Sequence, residues 1–161
     1  MRQTLQFLVF LFLPITKKSQ LDFRYIRDKE TEIYFLIDKI KSLKKVINSP
    51  KAPKAIGPYS QAIEANGTLY ISGQLPIDVN TGKFVEGGVK EQTEQCLKNI
   101  GYILEEAGYT FDNVVKSTCL LGDMSYFADM NEIYAKYYKT DCPARAAFAV
   151  KALPMGAMVE I

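Results

Sequence analysis

The spacing of apolar residues in the middle of the chain first predicts a β-hairpin. Residues 60–65 and 68–72 read as two strands that are joined by Asn66-Gly67. This pair favours a two-residue turn with positive φ angles, which is typical of hairpins. Gly73 follows the second strand, where it can mark a bulge or leave a backbone amide open to a ligand.

Further along the chain, apolar residues recur with a period of 3.6 residues and predict two helices. The first spans residues 89–107 and should end at Gly108, a residue suited to the left-handed C-cap. Cys96 lies on its apolar stripe, so we expect it in the core. The stripe consists of Val89, Thr93, Cys96, Leu97, Ile100, Leu104 and Ala107.

A β-rich run at residues 114–121 separates this helix from the second one, which Asp123 or Ser125 can cap. Asn131 lies on the apolar face of the second helix. A polar amide there either fixes a neighbouring loop or lines a pocket. The other residues of that face are Phe127, Met130, Tyr134 and Tyr138.

The run at residues 142–150 reads as a strand that holds one arginine among small side chains. Alternation places Arg145 on one face with Ala147 and Ala149, which leave an empty volume beside the guanidinium. Because a buried charge needs a partner, Arg145 should have either a structural salt bridge or an anionic ligand. Glu160, in the apolar run at residues 157–161, should have a perturbed pKa unless it lies exposed on a sheet edge.

Charge and length divide the chain into an arm and a domain. Residues 1–45 carry ten Lys and Arg against five Asp and Glu, whereas residues 46–161 carry ten against thirteen. The arm combines an apolar run at 7–13 with a basic, amphipathic helical pattern from Ile33 to Leu43. It is similar to a signal or transit sequence without a cleavage motif, or else it is an extension absent from the mature protein. No apolar run reaches the ~20 residues that span a bilayer.

The 161 residues include no histidine and only three cysteines. This composition excludes Ser/His and Cys/His nucleophile pairs and histidine-based metal sites. The odd number of cysteines, without metal-like spacing, indicates a reducing compartment. Any catalysis must use carboxylates, arginine, tyrosine, backbone amides and water.

Five segments together resemble the Rid family of reactive intermediate deaminases, formerly the YjgF family. They are residues 55–62, 70–74, 127–134, 143–147 and 159–161, and the resemblance covers about residues 46–161. It implies an α+β, chorismate-mutase-like (YjgF-like) fold, in which a mixed sheet carries two helices on one face. It also implies a homotrimer with a ligand cleft at each subunit interface.

The implied reaction is the hydrolysis of reactive 2-imino acids and enamines, such as 2-iminobutanoate and 2-iminopropanoate, to 2-oxo acids and ammonia. These substrates arise from PLP-dependent enzymes, and no cofactor or metal is expected in the deaminase itself. By resemblance, Arg145 binds the substrate carboxylate, Glu160 activates water and Tyr59 is a third catalytic residue. The implied substrate-binding residues are Gly73, Phe127, Asn131 and Ala147. Some relatives have cysteine where this chain has Ala147, and their last strand continues beyond the position of Ile161.

Two other functions remain open from the sequence. One is an endoribonuclease or translation inhibitor, which the acidic domain and the lack of histidine disfavour. The other is a trimer that binds small carboxylates without turnover. We therefore expect a small 2-imino or 2-oxo acid as the partner, with no nucleic acid and no membrane. The location would be a plastid-like organelle or mitochondrion if the arm is a targeting sequence, and otherwise the cytoplasm.

Overall fold

The computed structural model describes residues 31–33 and 44–161. The chain divides into two compact units, Met1–Ser42 and Leu43–Ile161. In the first unit, residues 31–33 are helical and exposed. The apolar run at 7–13 and most of the predicted amphipathic segment lie outside the described residues. The remaining description concerns the second unit.

An antiparallel sheet of three strands opens this unit, and its last two strands form the predicted hairpin. Asn66 and Gly67 have φ angles of 52° and 72°, as the two-residue turn requires. The first strand begins at Lys45, one residue before the predicted domain boundary. The strands are β1 (Lys45–Ile47), β2 (Ala62–Ala65) and β3 (Thr68–Ile71).

A short hairpin of β4 (Ile77–Asp78) and β5 (Lys83–Phe84) leads to helix α1 (Val89–Ala107), whose bounds match the prediction. At the start of α1, Glu91 Oε2 accepts a hydrogen bond of 2.7 Å from the amide of Gly88. At its end, Gly108 adopts the left-handed conformation with φ of 81°. The predicted stripe is buried except for Ala107, which is half-buried.

The second half of the unit forms a mixed sheet and a second helix. Its central strand pairs parallel with one neighbour and antiparallel with the other. Asp123 begins a 3-10 turn before the helix by accepting a hydrogen bond from the Ser125 amide. The elements are β6 (Lys116–Leu121), α2 (Phe127–Tyr137), β7 (Ala144–Ala149) and β8 (Val159–Glu160), and the strand order is β7-β6-β8.

Both helices cover one face of this mixed sheet. Cys119 and Leu121 of β6 and Val159 of β8 are fully buried there against α1 and α2. Cys96 is also fully buried in the same cluster, which confirms its predicted packing role. The molecule is therefore an α+β protein in which helices pack on a mixed sheet.

In the part of the chain that the structure describes, no helix has the length and apolarity needed to cross a membrane.

Candidate active site

The last strand brings Glu160 against the backbone of Gly73. A side chain at position 73 would collide with Oε1 of Glu160, and its Cβ would lie 3.0 Å from Cδ. Only glycine leaves room for the carboxylate, so the close approach of Glu160 to this backbone explains why position 73 is a glycine. Glu160 is half-buried, and this burial raises the pKa of its carboxyl group, as its apolar surroundings predict.

Backbone and side-chain hydrogen bonds hold the segment that carries Glu160. Gln74 and Ile161 exchange backbone hydrogen bonds of 2.8 and 3.2 Å, which join the strand end to the hairpin. The buried Gln92 of α1 accepts a hydrogen bond of 2.8 Å from the amide of Met158. These contacts fix the backbone on both sides of the carboxylate.

Tyr59 lies in the extended loop before β2, and its side chain is 51% exposed. It lines a cavity of about 30 Å³ together with Gly73 and Gln74. The buried side chain of Gln61 fixes the preceding loop by donating to three of its carbonyl groups and accepting from one amide. The donor contacts are with the carbonyl oxygens of Ser49, Ala52 and Pro53, and the acceptor contact is with the amide of Ser49.

Arg145 lies on β7 and is exposed in the single chain. The centre of its guanidinium lies 4.6 Å from the ring centroid of Tyr134 and 5.7 Å from that of Phe127. Such stacking orients a cation while leaving its hydrogen-bond donors available. The hydroxyl groups of Tyr134 and Ser117 lie 2.6 Å apart, which fixes the tyrosine ring.

The structural salt bridge considered for Arg145 is absent: in residues 44–161 the described ion pairs do not include it. The prediction that Arg145 is buried is also wrong. Its strand β7 is an edge strand, and the small alanines beside Arg145 leave the guanidinium open to solvent. An exposed guanidinium is solvated by water and needs no partner in the protein, so an anionic ligand of Arg145 stays a prediction.

The other two predicted binding residues are Asn131 and Ala147. Asn131 is half-buried one helical turn after Phe127, and its side chain makes no hydrogen bond with any described residue. Its amide therefore does not fix a loop within this chain. Ala147 lies two residues after Arg145 on the same face of β7 and packs against the core.

The sequence-predicted residues thus form two groups, on opposite faces of the mixed sheet. Arg145 is in register with Ser117, and Glu160 is in register with Leu120. Side chains alternate between faces along a strand, and registered neighbours share a face. Arg145 consequently lies on the helix-covered face with Tyr134, whereas Glu160 lies on the other face.

Sequence reasoning assigned Tyr134 to the core and overlooked its contact with Arg145. It also overlooked Gln92, a polar residue beside the apolar stripe of α1. Both could have been suspected from their positions: Tyr134 has a polar tip on a buried face, and a buried glutamine needs partners.

A model of the endoribonuclease L-PSP family matches residues 49–161. The 2-iminobutanoate/2-iminopropanoate deaminase of Mus musculus is 55% identical over 119 residues, which cover 74% of this chain and 88% of that protein. Reactive Intermediate Deaminase A, chloroplastic, of Arabidopsis thaliana is 50% identical over 118 residues, covering 73% and 63%. The structure of a Rid-family protein from Yersinia pestis superposes with a TM-score of 0.72 at 50% identity, covering 73% and 94%. By these similarities, the chain belongs to the endoribonuclease L-PSP family, also called the YjgF/Rid family.

Proposed function

We propose that this protein is a hydrolytic deaminase that converts reactive 2-imino acids and their enamine tautomers to 2-oxo acids and ammonia. One observation carries the proposal: the carboxyl group of Glu160 packs against the backbone of Gly73, and burial raises its pKa. Curated relatives at 50–55% identity, among them the mouse protein, carry the name of this activity.

The guanidinium of Arg145 binds the substrate carboxylate. It is held over Tyr134 and Phe127 with its donors unpaired by any described carboxylate. A planar guanidinium can make two parallel hydrogen bonds to a carboxylate, and this fixes the position of the adjacent imine carbon. Ala147 lies two residues further along the same face of β7, and Asn131 lies one helical turn after Phe127 on α2.

The carboxylate of Glu160 accepts a proton from water while the water oxygen bonds to the imine carbon. The imine nitrogen takes up a proton from solvent during this addition, which gives a neutral carbinolamine. Its nitrogen then takes the proton held by Glu160 and the carbon–nitrogen bond breaks. The hydroxyl group returns its proton to the Glu160 carboxylate or to solvent as the carbonyl forms, and ammonia and the 2-oxo acid leave. A general base works best when its pKa lies near the working pH, so burial adapts this carboxyl group to its role. Tyr59, whose ring shares a cavity with Gly73, supplies a hydroxyl donor.

The test is ammonia release from 2-iminobutanoate, generated in the assay by a dehydratase acting on threonine. We expect this protein to accelerate the release above the spontaneous rate, and Glu160→Gln to remove most of the acceleration. Tight binding of 2-oxobutanoate without acceleration would instead identify a carboxylate-binding protein. If the protein cleaves RNA and binds it with an affinity that falls as the salt concentration rises, the ribonuclease alternative would be supported instead.

We propose further that the protein is a homotrimer and that each site combines Arg145 of one subunit with Glu160 of another. Their positions on opposite faces of one sheet support this arrangement, because a small substrate cannot bridge a sheet. The exposed edge of β7 and Phe148, which is 47% exposed, offer apolar surface for such an interface.

Mixing two inactive variants tests the shared site. Arg145→Gln and Glu160→Gln subunits, mixed and allowed to exchange, should recover roughly a quarter of wild-type activity if the assortment is random and interfaces are heterologous. Mixtures that stay inactive, or a monomer in light scattering, would contradict the shared site.

We also propose that residues 1–45 are an organellar targeting sequence. Their basic, amphipathic composition supports this, as does the chloroplastic location in the name of the Arabidopsis relative. Localisation of a fluorescent protein fused behind residues 1–45 tests it, with residues 46–161 alone as the control.

A further inference from the structure

Helix α1 carries a polar face beside its apolar stripe. This polar face consists of Gln92, Gln95 and Asn99, which lie on one side of the helix because residues three, four and seven positions apart share a side. Gln92 is buried, Gln95 is half-buried and Asn99 has no exposed surface. Buried amide side chains need hydrogen-bond partners, so the partners indicate what this face does.

Asn99 binds the backbone that follows Gly73. Its Nδ2 atom donates to the carbonyl oxygens of Leu75 and Ile77, over 3.1 and 3.0 Å. Its Oδ1 atom accepts a hydrogen bond of 2.8 Å from Nε2 of Gln95, which keeps the amide group of Asn99 turned towards this segment. Asn99 therefore fixes the chain two to four residues beyond Gly73.

The other end of α1 binds the backbone that precedes Glu160. Oε1 of Gln92 accepts a hydrogen bond of 2.8 Å from the amide of Met158. One turn further along, Sγ of Cys96 lies 3.8 Å from the carbonyl oxygen of Val159. The helix thus holds the two residues directly before Glu160.

One helix therefore spans the contact between Gly73 and Glu160. Gln92 and Asn99 are seven residues apart, or about 10 Å along the axis at about 1.5 Å per residue. Because hydrogen bonds within the helix keep its length fixed, the two backbone segments stay at a fixed separation. The contact between them is close, since a Cβ at position 73 would collide with Oε1 of Glu160.

An alternative is that the polar face serves stability alone, because buried carbonyl groups need donors. The positions of its partners favour a positioning role, since they flank one contact on both sides. Thr93 gives the comparison: it is also fully buried on α1, but its hydroxyl group donates to Val89 within the helix itself.

We infer that Asn99 and Gln92 are positioning residues for Glu160, whose carboxylate they hold against the backbone of residue 73 through the segments on either side. Both side chains are buried and act through the backbone. A shift of about 1 Å in a catalytic group can lower a rate by about 10²-fold, so loss of either residue's hydrogen bonds should reduce turnover more than binding. That Glu160 acts as the base rests on the proposed deaminase function, whereas its attachment to α1 does not.

Two alanine variants of the same helix, made in the full chain, test this role. Asn99→Ala removes the hydrogen bonds to residues 75 and 77, and Ile103→Ala truncates an equally buried apolar side chain that packs against Ile47 and Ala62. Both should lower the Tm, since each leaves a cavity. We expect only Asn99→Ala to lower kcat for 2-iminobutanoate, by at least roughly tenfold, while calorimetric binding of 2-oxobutanoate stays within about twofold of wild type.

Three results would overturn the inference. They are a wild-type kcat in Asn99→Ala, an equal loss of kcat in Ile103→Ala, and a loss of 2-oxobutanoate binding as large as the loss of kcat. Gln92→Met decides the matter if Asn99→Ala does not fold, because methionine keeps the length of the side chain and removes the acceptor for the Met158 amide. It should lower kcat with unchanged binding of 2-oxobutanoate.

A titration of the Glu160 carboxyl group by carbon-13 NMR gives a second measurement, which needs no turnover. Burial raises the pKa of this group in the wild type, and Glu160→Gln identifies its signal. Cys96 is a titratable neighbour, but burial and the charge of Glu160 raise the pKa of its thiol well above the ordinary value, so the thiol stays neutral.

The pKa of Glu160 should fall towards its ordinary value in Asn99→Ala and Gln92→Met, because a loosened carboxyl group gains water. It should not change in Ile103→Ala. An unshifted pKa in both polar-face variants would refute the positioning role. A wild-type protein that does not accelerate ammonia release would refute the proposed function alone, and the titration would then still decide whether α1 holds the carboxyl group.

Discussion

Replacing Gly73 with alanine tests whether the carboxylate of Glu160 must occupy its present position. The new Cβ would lie 3.0 Å from Cδ and 3.3 Å from Cγ of Glu160 and would collide with Oε1. Normal contact requires a shift of the carboxylate of about 1 Å, and a misplacement of that size can lower a rate by about 10²-fold. The far end of a glutamate rotates easily, so the stability of the fold should change little.

The assay is ammonia release from 2-iminobutanoate, combined with calorimetric binding of 2-oxobutanoate and thermal unfolding. We expect Gly73→Ala to lower kcat about 10²-fold while the Tm is nearly unchanged. Gly88→Ala is the matched control, because a Cβ there has no neighbour closer than 3.8 Å and its φ is −101°. Shortening the acid in Gly73→Ala/Glu160→Asp should recover part of the lost rate. Wild-type turnover of Gly73→Ala would refute the reasoning.

Three further predictions concern single residues. Arg145→Lys should weaken 2-oxobutanoate binding about 10- to 100-fold in calorimetry, because lysine lacks the planar pair of donors and a charged hydrogen bond is worth about 1.5–3 kcal/mol; Lys116→Gln, on the neighbouring strand, should bind normally. Glu160→Gln should lower turnover about 10²-fold. Because burial raises the folded-state pKa of Glu160, the wild-type rate should fall as pH drops through that pKa, and the stability contribution of the protonated acid should be lost as pH rises through it. Glu160→Gln should therefore be at least as stable as wild type at pH 8 and no more stable at pH 3, and urea titrations giving the opposite order would contradict the raised pKa. Gln61→Ala should cost about 2–4 kcal/mol of unfolding free energy, since it leaves buried backbone groups of residues 49–53 unpaired; Gln95→Ala, at a half-buried position, should cost clearly less.

The local elements followed from the sequence because short-range chemistry determines them. Asn66-Gly67 predicted the hairpin turn, and Gly108 predicted the end of α1, since few residues adopt positive φ without strain. The apolar stripe of α1 likewise predicted which side of the helix is buried. The family also followed from short segments, whose residues the comparisons confirmed as a Rid-type domain over residues 49–161.

The arrangement of the site depended on contacts between distant segments. The sequence could not show that Gly73 lies against Glu160, 87 positions away, or that Arg145 stacks on Tyr134 in an exposed edge strand. Nor could it show that Arg145 and Glu160 point to opposite faces of one sheet, because the face of a side chain depends on strand register, which is set by pairing between segments. Periodicity determines which residues share a face within one element, but only the packing of the elements decides which faces meet.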